Sequence, residues 1–511
     1  MMNDSFSVIP KEKFEFASRG EKIYDKKLES EPIGYFKDAW IRFRKNKSSV
    51  VAFGIIVILS LFAIFAPLLS PYELGDRDGY FAAALPKSTL LSKIGILDGT
   101  RWKREGQAGY DYYNSIGKES GMSAICSDVK KTVDEDGTVY YTFKVDSYYQ
   151  VGYAFQNLSN EEYRALLSYQ AESGKQLFYP IPASYKVDFK IGNQGANFWY
   201  KLASGSATST GAAVYDKEGN YIPNYLTTDS LTSQTAAKYD GSRIAGDDGS
   251  YIYALRVQGG VKVRVNYYEY YTYKNGHEPA FLLGTNNYGQ DILTSLALGA
   301  RLSFLLAIFV SLINLTIGAI YGAIEGYYGG TTDLVLERIS DILASVPFIV
   351  VATLFQLHLA EKLGTLPSLL FAFVMTGWVG MASRVRMQFY RYKRREYVLA
   401  AKTLGAKDRR IMLKHIFPNS IGTIITSAVL TIPGVIFTES MLSYLNIINL
   451  EASSSFTSIG TMLSQGQGSL STHPHIILFP ALFISLLEIS FNLFGNGLRD
   501  AFNPSLRGVE D

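Results

Sequence analysis

The sequence predicts an α-helical membrane bundle of six transmembrane helices with a large, mainly β domain inserted after the first. Three observations predict it. Only 19% of the 511 residues are charged, against roughly 25% in soluble globular chains. The missing charge is concentrated in windows of about 20 residues, the length of a membrane-crossing helix. Between the first and second windows lies a polar segment that holds 27 of the 36 tyrosines, with 22 Lys+Arg and 24 Asp+Glu over residues 71–290. This composition excludes an all-soluble enzyme and a disordered chain. The net charge of +3 is too small for a nucleic-acid binder. A single cysteine, Cys126, excludes a disulfide framework and a cysteine-rich metal site within one chain.

Taken in order, the spans are expected at about Ser49–Leu69, Ser303–Gly326, Ile342–Ala360, Leu366–Ala382, Ile421–Phe437 and Ile476–Phe494. The first follows a long polar segment and lacks a small-residue cleavage site, so it reads as a span and not a signal peptide. Arg42, Arg44, Lys45 and Lys47 precede it, and eleven Lys and Arg from Arg384 to Lys414 lie between the fourth and fifth. Six spans put both regions on one side, and positive charge makes that side cytoplasmic. The predicted domains are 1–48, cytoplasmic with an interfacial helix; 49–69, the first span; 70–285, extracytoplasmic; 286–498, the five-span core; and 499–511, a cytoplasmic tail.

Before the first span, Tyr35, Phe36, Ala39, Trp40 and Phe43 share one helical face, which suits a helix lying on the inner leaflet. In the outer segment, Thr138–Val145, Tyr185–Ile191, Tyr251–Val257 and Val261–Tyr267 alternate with period two. Glu218–Asn220 and Asp247–Gly249 read as turns, Asn160–Gln170 as a short helix, and Cys126 as a buried small hydrophobe.

The segment 392–419 is the most informative. It reads as two short helices, with a left-handed cap at Gly405, a start near Asp408, and a stop at Pro418. Small residues at Ala400 and Ala401 permit close approach by another protein. The alternative is a merely solvated basic loop. In the second span, Gly318, Gly322 and Gly326 form a small-residue stripe suited to helix packing, either within this chain or against a partner. Glu488 lies about 12 residues, or roughly 18 Å, into the sixth span, where a charge is expensive. It reads as a pathway or interface residue, or as a hydrogen-bonded acid inside the bundle. Asn314 suits an interhelical hydrogen bond, and Glu439 the pathway mouth at the outer end of the fifth span.

The 392–419 segment resembles the EAA loop of bacterial ABC importer permeases: Ala400, Ala401, Gly405 and Pro418 match, while Leu399, His415 and Phe417 replace the usual Glu, Ile and Leu. Gly284–Asp291, Gly299–Ser303, Arg338–Asp341 with Pro347, Glu439–Leu445, Asn492–Asp500, Asn503–Pro504 and Trp40–Lys47 resemble the oligopeptide/dipeptide permeases, C-type subunit. Asn286 and Gln290 stand where that family usually has Asp and Arg. The resemblance covers roughly residues 35–70 and 280–508 and leaves out the outer segment. It implies a type I ABC importer permease fold in a bacterial cell membrane. It also implies a second, B-type permease subunit, two cytoplasmic ATPases docked on the EAA loops, and an extracytoplasmic peptide-binding lipoprotein. ATP and Mg then belong to the ATPases; the sequence contains no G-x4-GK[ST] phosphate loop. Leu399, Ala400, Ala401, Gly405, Asp408 and Pro418 become the ATPase-coupling residues. The rival readings are a membrane-anchored extracellular binding or sensing module, and the same importer class carrying a nickel chelate or glycan.

Overall fold

The computed structural model describes residues 34–182, 196–197, 225–226, 236–237, 251–448 and 456–502. The expected strand at 185–191, the turns at 218–220 and 247–249, and Asn503–Pro504 lie outside them.

Helix α1 (Tyr35–Lys45) ends at Asn46, whose extended backbone breaks the chain before α2 (Lys47–Leu69). The Asn46 side chain then caps α2 by accepting from the Ser49 amide at 3.3 Å. Ala39 and Phe43 of α1 are buried against Phe494, Leu498 and Ala501, while Phe36 and Trp40 remain exposed. So α1 is docked on the bundle through Ala39 and Phe43.

Five described helices are long and apolar enough to cross a membrane, or six if a bent pair counts as one. They are α2, α6 (Ile292–Tyr328), α9 (Thr365–Tyr392), the run from Asp408 to Tyr444, and α15 (His475–Phe502). The expected third span is not a straight helix over 342–360. Ile342 belongs to α7 (Gly330–Ala344), and the chain bends by 70° before α8 (Phe348–Leu363). Pro347 is the cause: it lacks an amide proton and pushes the preceding residue out of helical geometry. The fourth span also runs further than expected, so that Arg384, Arg386 and Arg391 lie on α9 itself.

Gly318, Gly322 and Gly326 settle against α9 of this chain. A methyl added at Gly322 would sit 2.1 Å from the Ala382 carbonyl oxygen, and one at Gly326 would sit 2.7 Å from that of Arg386. Asn314 packs on the same helix, its side-chain nitrogen 2.4 Å from where a Gly377 methyl would be. On the opposite side of the bundle, the Ser49 hydroxyl donates to the Leu493 carbonyl at 2.9 Å and ties α2 to α15.

The described residues between α2 and α6 form two antiparallel sheets. The first runs β1 (Thr100–Gly106), β3 (Val139–Asp146), β2 (Lys130–Val133). The second runs β4 (Tyr153–Ser159), β8 (Gly260–Asn266), β7 (Ala254–Val257), β6 (Ala236–Ala237), with β5 (Phe178–Tyr179) also paired to β8. Among the described residues, three helices accompany them: α3 (Gln107–Ser115), α4 (Asn160–Ser173) and α5 (Tyr267–Asn275). The expected helix at 160–170 is α4, started by a reciprocal Ser159–Glu162 capping box. Tyrosine builds much of this domain's core: Tyr148, Tyr267, Tyr268 and Tyr271 pack around Phe81 and Phe281. Cys126 is exposed, not buried as expected; it follows the buried Ala124 at the edge of the first sheet, where no core reaches it.

The β domain is fastened to the bundle. His475, at the start of α15, lies 3.3 Å from the Thr285 carbonyl, and the Arg101 guanidinium 3.1 Å from the His473 ring. The neutral pair that departs from the family pattern lies here too: the Asn286 amide donates to Gln290 Oε1 at 2.9 Å, both residues being buried. Two amides satisfy each other in that position with no charge to desolvate.

Candidate functional site

The loop 392–419 is a rigid hairpin of helices. Helix α10 (Glu396–Thr403) closes with the Gly405 amide on the Lys402 carbonyl and the Ala406 amide on the Ala401 carbonyl, both at 3.0 Å. This double bond pattern requires a left-handed residue at Gly405, which has φ +79°. The return arm starts as α11 (Asp408–Arg410) and passes through a π-helical turn (Ile411–Ile416) into α12 (Phe417–Val429). Pro418 therefore does not stop the helix. It sits in the first turn of α12, where the π-turn has already displaced the regular hydrogen-bond ladder and no donor is missed. Helix α13 (Thr431–Tyr444) completes the run.

One face of the hairpin is core. Val398, Ile411 and Ile416 are buried with Met381, Val385 and Phe389 of α9 and Ile424 of α12. Ala401 belongs to this buried face, at 9% exposure. The opposite face is free: Leu399 and Ala400 are exposed, and Leu404 projects at 87% exposure from the tip. With Leu399 at 52% exposure, it leaves apolar surface on this face. Lys402, Lys407, Arg409 and Arg410, close to it in sequence, are exposed as well.

Two anchors hold the hairpin against the bundle. The Tyr327 hydroxyl, near the end of α6, donates to Asp408 Oδ1 at 2.6 Å. Lys393 donates to the Gly326 carbonyl at 2.9 Å, where the helix end leaves carbonyls unpaired. A clamp that was not read from the sequence lies next to them. Arg386 donates to both carboxylate oxygens of Asp333 at 2.6 and 2.9 Å and to Glu337 at 2.8 and 3.0 Å, and the Tyr390 hydroxyl also donates to Asp333. The readable signal was the row Asp333, Glu337 and Asp341, which repeats every four residues on one face of a helix beside a span.

The remaining predicted residues are scattered through the bundle. Glu439 is 1% exposed and accepts from Ser303 at 3.1 Å and Ser443 at 2.9 Å. Serines from α6 and α13 enclose it. Glu488 is half-buried on α15, and its Oε1 has no hydrogen-bond partner among the described residues. Asn314 is buried, with Oδ1 likewise unpartnered among them.

Residues 314–508 match the family described as binding-protein-dependent transport system inner membrane component, and residues 34–86 match the N-terminal TM domain of oligopeptide transport permease C. The oligopeptide transport system permease protein OppC of Bacillus subtilis (strain 168) is 42% identical over 224 residues, covering 44% of this chain and 72% of that protein. The chain belongs to the binding-protein-dependent transport permease family. The dipeptide permease DppC of the same organism is 43% identical over 225 residues, 44% of this chain and 68% of the relative. The OppC protein of Escherichia coli (strain K12) is 36% identical over 231 residues, 45% and 74% respectively. Among solved structures, an inward-facing MetNI methionine ABC transporter aligns with a TM-score of 0.30 and 13% identity, over 39% of this chain and 94% of that one. This permease is thus an integral membrane protein and a translocation subunit, not an enzyme; ATP hydrolysis and the second half of the pathway belong to partner subunits.

Proposed function

We propose that this permease is the C-type subunit of an importer for oligopeptides or dipeptides, and that its 392–419 hairpin receives one of two partner ATPases. The observation that carries this reading is the hairpin's geometry: a buried face welded to α9 and α12, and an apolar knob, Leu404, standing free among cations. A pivot must be stiff on the side that transmits force and bare on the side that is gripped. Ala400, Leu399 and Leu404 form the gripped side, Gly405 and Asp408 shape it, and Ala401 and Pro418 belong to its support. The peptide substrate rests on the names of the relatives.

In this reading α7 and α8 form one broken span, giving six, with both termini cytoplasmic and residues 70–285 outside. The β domain then stands where an extracytoplasmic peptide-binding protein would arrive. Nucleotide and Mg stay on the ATPases, and this chain holds no cofactor. Replacing Leu404 by Asp puts a charge where an apolar pocket would have to desolvate it, a cost of several kcal/mol. Uptake of labelled peptide by the assembled transporter is expected to fall at least about tenfold while the bundle stays folded, since Leu404 touches no core. A merely solvated loop would tolerate the change.

A further inference from the structure

Between α6, α12 and the return arm of the hairpin lies a groove of about 560 Å³. Its lining runs from Leu315 to Ile324 on α6 and from Phe417 to Ile425 on α12, with Phe389 of α9 among them. The stretch of α6 from Leu315 to Ile324 rises roughly 14 Å. That is about half of a hydrocarbon core of roughly 30 Å, or the depth of one leaflet. Ile320 and Leu413, which also line the groove, are exposed, so it opens to the outside of the bundle.

Two lining residues are polar, and no carboxylate is among them. The Thr316 hydroxyl donates to the Leu312 carbonyl at 2.8 Å and is satisfied within its own helix. Arg409 is exposed and has no ion pair or hydrogen bond among the described residues. Its neighbour Asp408 accepts from Tyr327, one residue before the end of α6. The guanidinium therefore belongs to the end of the groove where that span leaves the apolar layer.

Apolar walls one leaflet deep, with a cation at the membrane surface, match an acyl chain that carries an anionic head. A free phosphate uses the cation and leaves the walls bare. An apolar helix of a partner covers the walls and leaves the guanidinium without a counter-charge. Basic pockets between spans on the cytoplasmic side suit anionic headgroups. We propose that this groove holds an acyl chain of an anionic phospholipid, with the lipid phosphate on Arg409. The proposal rests on the reading above in one respect: a cytoplasmic hairpin makes this a lipid of the inner leaflet. Such a lipid touches α6, α9, α12 and the return arm together, and so braces the arm against the bundle.

The test is native mass spectrometry of the delipidated transporter, the full-length chain with its partner subunits. It is titrated with palmitoyl-oleoyl phosphatidylglycerol, with phosphatidylcholine of the same chains, and with glycerol phosphate. The first phosphatidylglycerol is expected to bind at least about fivefold more tightly than phosphatidylcholine, whose choline offsets the phosphate charge. Glycerol phosphate, which has no chain, should not be retained. Arg409→Gln should remove the preference and leave phosphatidylcholine binding as it was. Ala319→Phe, which fills the groove, should remove the tight site for both lipids. A preference that survives Arg409→Gln, a tight lipid that survives Ala319→Phe, or glycerol phosphate held as firmly as the lipid would overturn the proposal. So would separation of the two permease subunits by Ala319→Phe, which assigns the groove to the partner. The ATPases are weighed in the same spectra: failure of the docking reading appears as their absence, and failure of this proposal as the absence of the lipid.

Discussion

Replacing Gly322 by Val is expected to prevent the bundle from assembling. Even the first added carbon would lie 2.1 Å from the Ala382 carbonyl oxygen and 2.8 Å from its carbon. Both atoms are backbone, so no side chain can move aside, and α6 and α9 must separate along their whole contact. Gly318 and Gly326 meet the same helix one turn to either side, at 2.8 Å from the Trp378 carbonyl oxygen and 2.7 Å from that of Arg386. Overpacking a well-filled core usually costs about 1–3 kcal/mol; a collision with fixed backbone belongs at or above the top of that range. Size-exclusion chromatography of the solubilised protein should show loss of the monodisperse species. Gly380→Ala is the matched control: it lies on α9 with open space around it, and should be neutral or slightly stabilising.

The β domain has an equally sensitive point. Arg264 is completely buried on β8 and forms a two-pronged pair with Glu119 at 2.8 and 3.0 Å. It also donates to the Pro180 carbonyl at 2.9 Å and the Ala196 carbonyl at 3.1 Å, with its guanidinium carbon 3.9 Å from the centre of the Tyr153 ring. Glu119→Ala leaves that cation buried without its counter-charge, which costs about 3–5 kcal/mol. The domain's thermal transition should drop sharply or vanish. Removing both charges, as Glu119→Leu with Arg264→Met, should recover much of the loss, because the penalty belongs to the unpaired charge. Equal damage from the single and double variants would show that the pair acts through packing alone.

The spans were legible because the bilayer leaves a helix few options: a window without charge and about 20 residues long has nowhere else to go. The hairpin was legible because Gly405 and Asp408 mark local backbone events. What the sequence hid depends on neighbours distant in the chain. Pro347 stands where two helices bend apart by 70° and Pro418 lies inside a continuous run, and the π-turn before Pro418 is seen only in the structure. Ala401 and Leu404 are three residues apart, yet one supports the hairpin and the other stands exposed at its tip. The burial of Glu439 against Ser303, from another helix, has no local sequence signal. Of the β domain, the alternating strands were visible; the fastening of Thr285 to His475 joins residues 190 apart, and no local pattern announces it.

In the proposed function the hairpin tip touches an ATPase. Leu404→Cys, made in a Cys126→Ser background so that the tip carries the one thiol, places a cross-linking handle where contact is expected. Treated with a short thiol-reactive photo-cross-linker and illuminated in membranes containing the assembled transporter, this chain should shift by the mass of one ATPase subunit, while a cysteine at the buried Val398 should not. Absence of that adduct, or labelling of the Leu404 cysteine by a membrane-impermeant reagent added outside intact cells, would contradict the account.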